Sequence, residues 1–555
     1  MKLDAKIVSS LEKILPDTEL SDYESFRGMS ALLGEKISLQ VIFKNAEGDT
    51  TRTLISPKLG GELAKYARVR RVQGVPVTMP VCGEGDEYYL SKKPGIYPDL
   101  LLPLSYGGSV RTNVGVLGNL WIDIDLPENG EELPDLPTLT VSLVDAYSDD
   151  ELLFFDTFTL DLVKVSLPPR DIYYTRWLYT DCLASYYDVE VWSREHWRII
   201  ENYVRAAVKI GVNTILTPLI TPSLDGERML TQLVKIVKKG EKYSFNFSRV
   251  DKWIDMCDRA GIKYFEISHL FTQHGATNTP KISAIVDGEE KLIFTYANDG
   301  RDPEYIKMLR ALLKAFVRHM KKRGDDKRCL YHISDEPPMK HIEYYRAAKN
   351  SISDILAGYK MIDALSDLEY YTEGLVECPV PETDFAEDFA KAGVKDFWVY
   401  YCGGPSDRNY SNSLIAMPSW RTRSIGMQMY KHNVEGFLHW GFNFYNNCNS
   451  ERVLNPYTDL SGENWVAAGD TFIVYPDKNG EAIESLRAVV TYHAFEDIRA
   501  MKLCEKYYSH AEVVEAMENA LGDKIAFDRS AFSADEMLKV REVVNAMIKA
   551  KASKM

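Results

Sequence analysis

Cys329-Leu330-Tyr331-His332-Ile333-Ser334-Asp335-Glu336-Pro337-Pro338 decides the fold of this chain. A short apolar run ends in two adjacent carboxylates and a proline pair. Proline donates no backbone hydrogen bond, so a ladder is expected to stop here and leave the carboxylates at the rim of a sheet. In a parallel α/β barrel the catalytic groups stand on the carboxyl ends of the strands. The local alternative is a helix N-terminus, in which Asp335 caps and Glu336 meets the helix dipole.

Working outward from this run, strands and helices alternate, as parallel βα units do. Upstream strands are read at 174–179, 213–217 and 263–267, and downstream ones at 359–363, 375–379, 397–401 and 436–440. With 329–334 they make the eight that a closed barrel requires. Phe472 to Tyr475 competes for the eighth place, and the step from the fifth to the sixth is short. Helical faces lie between, such as Trp197, Ile200, Val204 and Val208 before Gly211. The long third connection carries two β-rich runs around Asp287-Gly288, a hairpin signal.

Ahead of the barrel, between about Lys36 and Val163, the pattern changes to short β-rich runs. Leu139, Val141 and Leu143 alternate with polar residues, so half-buried antiparallel strands of a β-sandwich are expected. The fold class is thus multidomain β plus α/β. An N-terminal β-sandwich (1–166) precedes a (β/α)8 TIM-type barrel (170–500), joined through Leu167-Pro168-Pro169-Arg170, and a helix-rich C-terminal segment (501–555) packs on the barrel.

The chain of 555 residues carries a formal charge of −15. That balance argues against a nucleic-acid or anionic-membrane partner, which calls for a basic patch. No apolar export segment or membrane-length run is read, so a cytoplasmic location is expected. The eight cysteines lack C-x-x-C pairing, and His269 and His274 lack the spacing of a zinc set. No metal or organic cofactor is expected. A neutral substrate fits, and the sequence is compatible with a homo-oligomer.

Adjacent carboxylates on a barrel rim suit glycoside cleavage, which needs a proton donor and a group that stabilises an oxocarbenium-like centre. Glu336 is the candidate acid. A conventional retaining mechanism places a second carboxylate across the ring, yet the seventh strand ends in Tyr400-Tyr401-Cys402-Gly403, and Asp407 is its nearest carboxylate. This favours attack by the substrate's own 2-acetamido oxygen, with Asp335 accepting the amide N–H and Tyr400 or Tyr401 reaching the acetamido carbonyl.

On these residues the chain resembles glycoside hydrolase family 123. The landmarks are His332 to Pro337, Trp398 to Tyr401, Met417 to Arg423, Gly436 to Asn443, and Gly469 to Pro476. The resemblance implies a sandwich followed by a barrel, and an exo-acting retaining β-N-acetylgalactosaminidase using substrate-assisted catalysis on a terminal N-acetylhexosamine. It makes Asp335 the acetamido-orienting residue and Glu336 the general acid/base. Alternatives are a β-N-acetylglucosaminidase, a two-carboxylate glycosidase with Glu373 as nucleophile, and a non-catalytic carbohydrate-binding protein.

Further substrate-binding candidates are His269, Trp398, Tyr400, Tyr401, Arg421, Trp440, Asn443 and Tyr445, with Glu373 as the alternative second carboxylate. Trp440 is read as a sugar floor or a barrel plug, His269 as a hydroxyl partner or a core histidine, and Asn443 and Tyr445 as hydroxyl partners or solvated loop residues. Arg421 and Arg423 are read as partners of Asp335 or Glu373, or as structural ion pairs.

Overall fold

The computed structural model describes residues 2–552 apart from positions 106, 113, 149, 225 and 227. Its centre is a nearly closed barrel of eight parallel strands: β1 (Tyr173–Arg176), β2 (Thr214–Thr217), β3 (Tyr264–Ile267), β4 (Cys329–Tyr331), β5 (Lys360–Ala364), β6 (Cys378–Val380), β7 (Trp398–Tyr400) and β8 (Gly436–His439). Their order is β6-β5-β4-β3-β2-β1-β8-β7. The ring closes just past β6, where Tyr400 N donates to Pro381 O (3.1 Å) and Thr383 N to Tyr400 O (2.9 Å). All eight expected strands are present. The competitor for the eighth place, Val474–Pro476, instead forms a separate two-stranded ribbon with Ala482–Glu484.

Side chains alternate across each strand, and this parity sorts the core. Leu216, Leu330, Ile362, Val380, Trp398, Tyr400 and Leu438 cluster inside the barrel. Ile215, Phe265, Tyr331, Val399, Tyr401 and Phe437 pack with helix residues such as Trp253 and Ile254. The helices are bounded by their own chemistry. Asp302 caps Pro303–Arg323 by accepting from Glu304 N, with proline in the first turn where its missing N–H costs nothing. Ser248–Ala260 ends at Gly261, whose φ of 105° only glycine adopts freely.

The hairpin at Asp287-Gly288 forms as expected, with Ile282–Val286 against Glu289–Phe294. Both turn residues have positive φ, 56° and 88°, as a type I′ turn demands. A second hairpin, Lys235–Lys239 with Lys242–Asn246, extends it into a four-stranded sheet; its lysine-rich exposed face gave no apolar signal.

The N-terminal unit consists of two five-stranded sheets. Leu39, Val41, Leu120 and Ile122 of one share a core with Leu139, Val141, Phe158 and Leu160 of the other. Gly28–Leu33 and Glu151–Ser166 pair in parallel, so the unit is not wholly antiparallel.

At the other end, the helix Leu486–Cys504 runs through the 500/501 boundary. The last helix, Ala534–Ala552, packs on the N-terminal unit as well as on the barrel helices, with Arg541 bound to Glu35 at 2.8 Å and to Asp497 at 3.3 Å. No helix among the described residues is long and apolar enough to cross a membrane.

Candidate active site

Asp335 and Glu336 line a cavity of about 240 Å³ at the carboxyl end of the barrel. Their turn is not stopped by the prolines alone. The ladder of β4 ends at Tyr331, and the next residues are bound on both flanks. On the β3 side, Leu270 N and Phe271 N donate to His332 O and Ile333 O (3.2 and 2.9 Å). On the β5 side the partner is a side chain, since Asp363 accepts from Ile333 N (3.0 Å) and Ser334 N (3.3 Å). Glu336 N then donates to Ala364 O at 2.9 Å. The carboxylates are therefore pinned from the neighbouring strand tips.

Glu336 has φ of 43°, a left-handed conformation that a residue with a Cβ seldom adopts. Strain of this kind persists where surrounding bonds over-determine it. The helix-capping alternative is excluded by position: the following 3-10 turn, Met339–His341, has Pro338 as its cap. Glu336 instead accepts a 2.6 Å hydrogen bond from Tyr400 Oη, at the tip of β7. Burial, with Glu336 second, pushes the Tyr400 phenol well above its usual range, so it stays a donor.

Beneath this turn lies a buried charge relay. His332 Nε2 bonds Glu266 Oε1 at 2.6 Å and Nδ1 bonds Asp363 Oδ1 at 3.2 Å. Both ring nitrogens face carboxylates, so the ring is an imidazolium; burial opposes the charge, but the two bonds prevail and raise its pKa to about 9. Glu266 also accepts from Trp177 Nε1 (2.7 Å) and Thr175 Oγ1 (2.6 Å), and Tyr345 Oη donates to Asp363.

Three tryptophans shape the cavity: Trp177, Trp440 and Trp465. Trp440 Nε1 donates to Asp470 Oδ2 at 3.0 Å, and its ring meets Trp465 edge-on at 5.5 Å. His439 Nδ1 accepts from Gly441 N, which leaves the proton on Nε2, 3.5 Å from Asp470 Oδ1. Burial, followed by Arg176, holds that imidazole neutral. Gln273 and His274 complete one wall. Their loop is fixed by Ser334 Oγ, which accepts from Gly275 N and Ala276 N (3.2 and 3.1 Å) and donates to Thr272 O (2.8 Å).

Another carboxyl stands just behind the wall. Glu382, past β6, has its pKa raised to about 8 by burial first, then by Asp384, Glu336 and Asp470. At neutral pH it holds a proton.

Of the sequence candidates, Asp335, Glu336, Tyr400 and Trp440 meet in the cavity, and the others do not. Tyr401 follows Tyr400 and so points the opposite way, against Phe437 at 4.9 Å. Trp398, at the start of β7, is fully buried and stacks on Tyr173 at 4.9 Å. His269 is a core histidine, stacked at 4.2 Å on the charged His332 and kept neutral mainly by burial. Asn443 clamps the backbone of Tyr179 through both amide atoms (2.9 and 3.1 Å). Tyr445 Oη donates to Val474 O at 2.9 Å. Arg421 is buried against Asp86 at 2.9 Å, and Arg423 against Asp497 at 2.7 Å. Glu373 caps a short outer helix and pairs with Arg346.

The reading of single residues missed Trp177, Gln273, His274, Cys402, Trp465 and Asp470 in the cavity wall. Trp177 directly follows β1, and that rim position was its available signal. Asp470 lies within a landmark segment, whereas Trp465 carries no local cue.

A sequence model described as glycoside hydrolase 123, catalytic domain, matches residues 177–504. Among solved structures, a family 123 glycoside hydrolase from Clostridium perfringens, studied for the details of glycolipid glycan hydrolysis, aligns over 100% of this chain and 99% of its own. Its TM-score is 0.74 at 15% identity, which establishes a common fold. A β-glucuronidase from Parabacteroides merdae covers 90% of this chain and 51% of its own at 12% identity, with a TM-score of only 0.31. Curated proteins give no match. With more than half of the chain matched by the family model and its carboxylate pair on a barrel rim, the chain belongs to glycoside hydrolase family 123.

Proposed function

We propose that this glycoside hydrolase is an exo-acting retaining β-N-acetylgalactosaminidase that removes terminal β-GalNAc by substrate-assisted catalysis. A cavity of about 240 Å³ is on the scale of one sugar ring, which supports exo action on a terminal residue. The observation that carries the mechanism is the make-up of the wall facing Glu336. Tyr400, Cys402 and Gly403 stand there, and beside Asp335 and Glu336 the carboxylate that lines the cavity among the described residues is Asp470. Asp470 turns its oxygens to Trp440 and His439. Glu382 is protonated at neutral pH and hence a poor nucleophile.

In this reading Glu336 protonates the leaving oxygen, held by Tyr400. Asp335 binds the acetamido N–H, so that the acetamido oxygen attacks and an oxazolinium forms. Glu336 then takes a proton from water as the ring reopens. Trp440, with Trp177 or Trp465, offers a face to the apolar side of the sugar. The runner-up with Glu373 as nucleophile loses its footing, because Glu373 is outside the cavity. We read the two-sheet unit as a sandwich domain over 1–166, preceding the barrel at 170–500 and the helical segment at 501–555.

The test is a panel of aryl β-glycosides differing in their 2- and 4-substituents. Release from β-GalNAc, or from β-GlcNAc as the neighbouring alternative, is expected. Glu336→Gln should abolish hydrolysis with binding retained, and Asp335→Asn should cripple acetamido substrates. Parent-like rates in both variants would remove the assignment. Tight binding of an acetamido-derived thiazoline separates the mechanism from a two-carboxylate one.

A further inference from the structure

We propose that Asp470 makes the catalytic cavity reject a sugar that carries a sulfate ester, so that a sulfated glycan reaches this enzyme only after its terminal ring has been desulfated. This rests on the reading of the cavity as the seat of one terminal N-acetylhexosamine. The supplying reaction is then hydrolysis of a sulfate ester: water attacks sulfur, the S–O bond to the sugar breaks, the sugar oxygen takes up a proton and inorganic sulfate leaves.

Asp470 stands in the long loop after β8, against the tip of that strand. Its Oδ2 accepts from Trp440 Nε1 at 3.0 Å, and Oδ1 lies 3.5 Å from His439 Nε2. Gly403, on the β7 side, puts no side chain in front of it; a Cβ there would lie 3.6 Å from Oδ2. Asp470 thus lines the cavity although it is only 1% exposed. Its charge is felt across the site, since burial first, and then Asp384, Glu336 and Asp470, keep the proton on Glu382.

The three carboxylates of the cavity stand at two depths. Asp335 is 7% exposed and lies deep like Asp470, whereas Glu336 is exposed at the rim. No lysine or arginine lines the cavity among the described residues. His274 meets the amide nitrogen of Gln273 through Nε2 at 3.0 Å, an acceptor's role that an imidazolium cannot play. A cavity of about 240 Å³ that seats one ring holds any substituent of that ring close to these oxygens. A like-charge pair at about 6 Å, in an effective dielectric near 20, weakens binding about a hundredfold. A neutral hydroxyl meets no such penalty, because it can donate to a carboxylate. Asp335 and Glu336 are committed to the reaction. Asp470 is the carboxylate whose charge the chemistry does not use, and the selection against anions falls to it.

The test compares kcat/KM of the full chain on the 4-nitrophenyl β-glycoside of GalNAc, or of GlcNAc if that is the sugar cleaved, with its 6-sulfate and its neutral 6-O-methyl ether. The sulfate should fall about a hundredfold or more below the plain glycoside, and the ether less than about tenfold. Asp470→Asn keeps an oxygen for Trp440 Nε1 and removes the charge. The ratio of sulfated to plain rates should then rise about tenfold or more, even where both rates fall; Asp470→Ser serves if the first variant does not fold. Equal cleavage of the sulfate, an ether rejected as strongly as the sulfate, or an unchanged ratio in a folded variant overturns the proposal. If neither plain glycoside is cleaved, the substrate reading fails and this proposal with it, whereas ready cleavage of plain and sulfated glycosides alike leaves that reading standing and overturns this one.

Discussion

The charged His332 makes a quantitative prediction about alkaline stability. Its pKa is raised from 6.5 to about 9 by Asp363 and Glu266, so the folded state binds a proton that the unfolded chain releases. The sign follows: this stabilisation is complete below about pH 6.5 and fades as pH rises through 9. The difference between 6.5 and about 9 corresponds to about 3 kcal/mol of stability. With an unfolding entropy of about 2.1 cal/mol/K per residue, a 555-residue chain melting as one unit loses ~3 °C in Tm, and a barrel melting alone loses more.

Glu382 and Glu496 are raised to about 8 and also erode stability as pH rises, but from about 4.5 upward. The comparison is therefore between the parent and Asp363→Asn, which removes one of the two counter-charges and replaces one of the oxygens that accept from Ile333 N, Ser334 N and Tyr345 Oη by a donor. Breaking a buried pair should cost about 3 kcal/mol at pH 6. By calorimetry from pH 6 to 10, the Tm gap should then shrink as the parent loses a stabilisation that the variant lacks. Because Asp363 also binds Ile333 N and Ser334 N, kcat should fall more than KM rises. A gap that stays constant across the range refutes the relay.

Tyr400→Phe removes the 2.6 Å bond to Glu336; kcat should fall about 10- to 100-fold, the worth of one charge-assisted hydrogen bond, with KM little moved, and a change under twofold contradicts the role. Trp440→Ala should raise KM for an aryl glycoside about tenfold or more through lost stacking, and an unchanged KM would assign the ring to the barrel core alone. Arg421→Met should cost about 3–5 kcal/mol in urea unfolding by leaving Asp86 unpaired, with KM unaltered in whatever folds; a KM effect without a stability effect would return Arg421 to the sugar. An aryl β-galactosaminide with a free amine should inhibit competitively and resist hydrolysis, whereas turnover comparable to the acetamido substrate would sink substrate assistance.

What the sequence disclosed follows from how locally each feature is written. The strands of the barrel are short runs between turn signals, and the carboxylate pair is contiguous, so both could be read without a partner. Tyr400 and Tyr401 could not be told apart, because one residue of register exchanges the cavity for the helix layer. Arg421 and Asn443 show polarity but not its object. The partner of Arg421 is Asp86, 335 residues away, and that of Asn443 is the backbone of Tyr179. Trp465 reaches the cavity only because the long loop after β8 folds back over the rim. The expected role of the prolines was incomplete for the same reason: the anchor of the catalytic turn is an aspartate side chain on the next strand.

The charge pattern of the cavity ties these parts together. Asp335, Glu336 and Asp470 line it, and no lysine or arginine does among the described residues. Such a wall stabilises positive charge developing on a substrate: one carboxylate at about 5 Å, with an effective dielectric near 20, contributes about 3 kcal/mol. A cationic oxazolinium or oxocarbenium centre gains from it, whereas an anionic sugar is repelled. Burial first, and then the neighbouring Asp384, Glu336 and Asp470, keep the proton on Glu382. A conventional nucleophile would have to ionise in that position, and a neutral acetamido oxygen carried in by the substrate avoids the conflict. On the proposed mechanism the carboxylates of this site receive a cation without supplying the attacking atom.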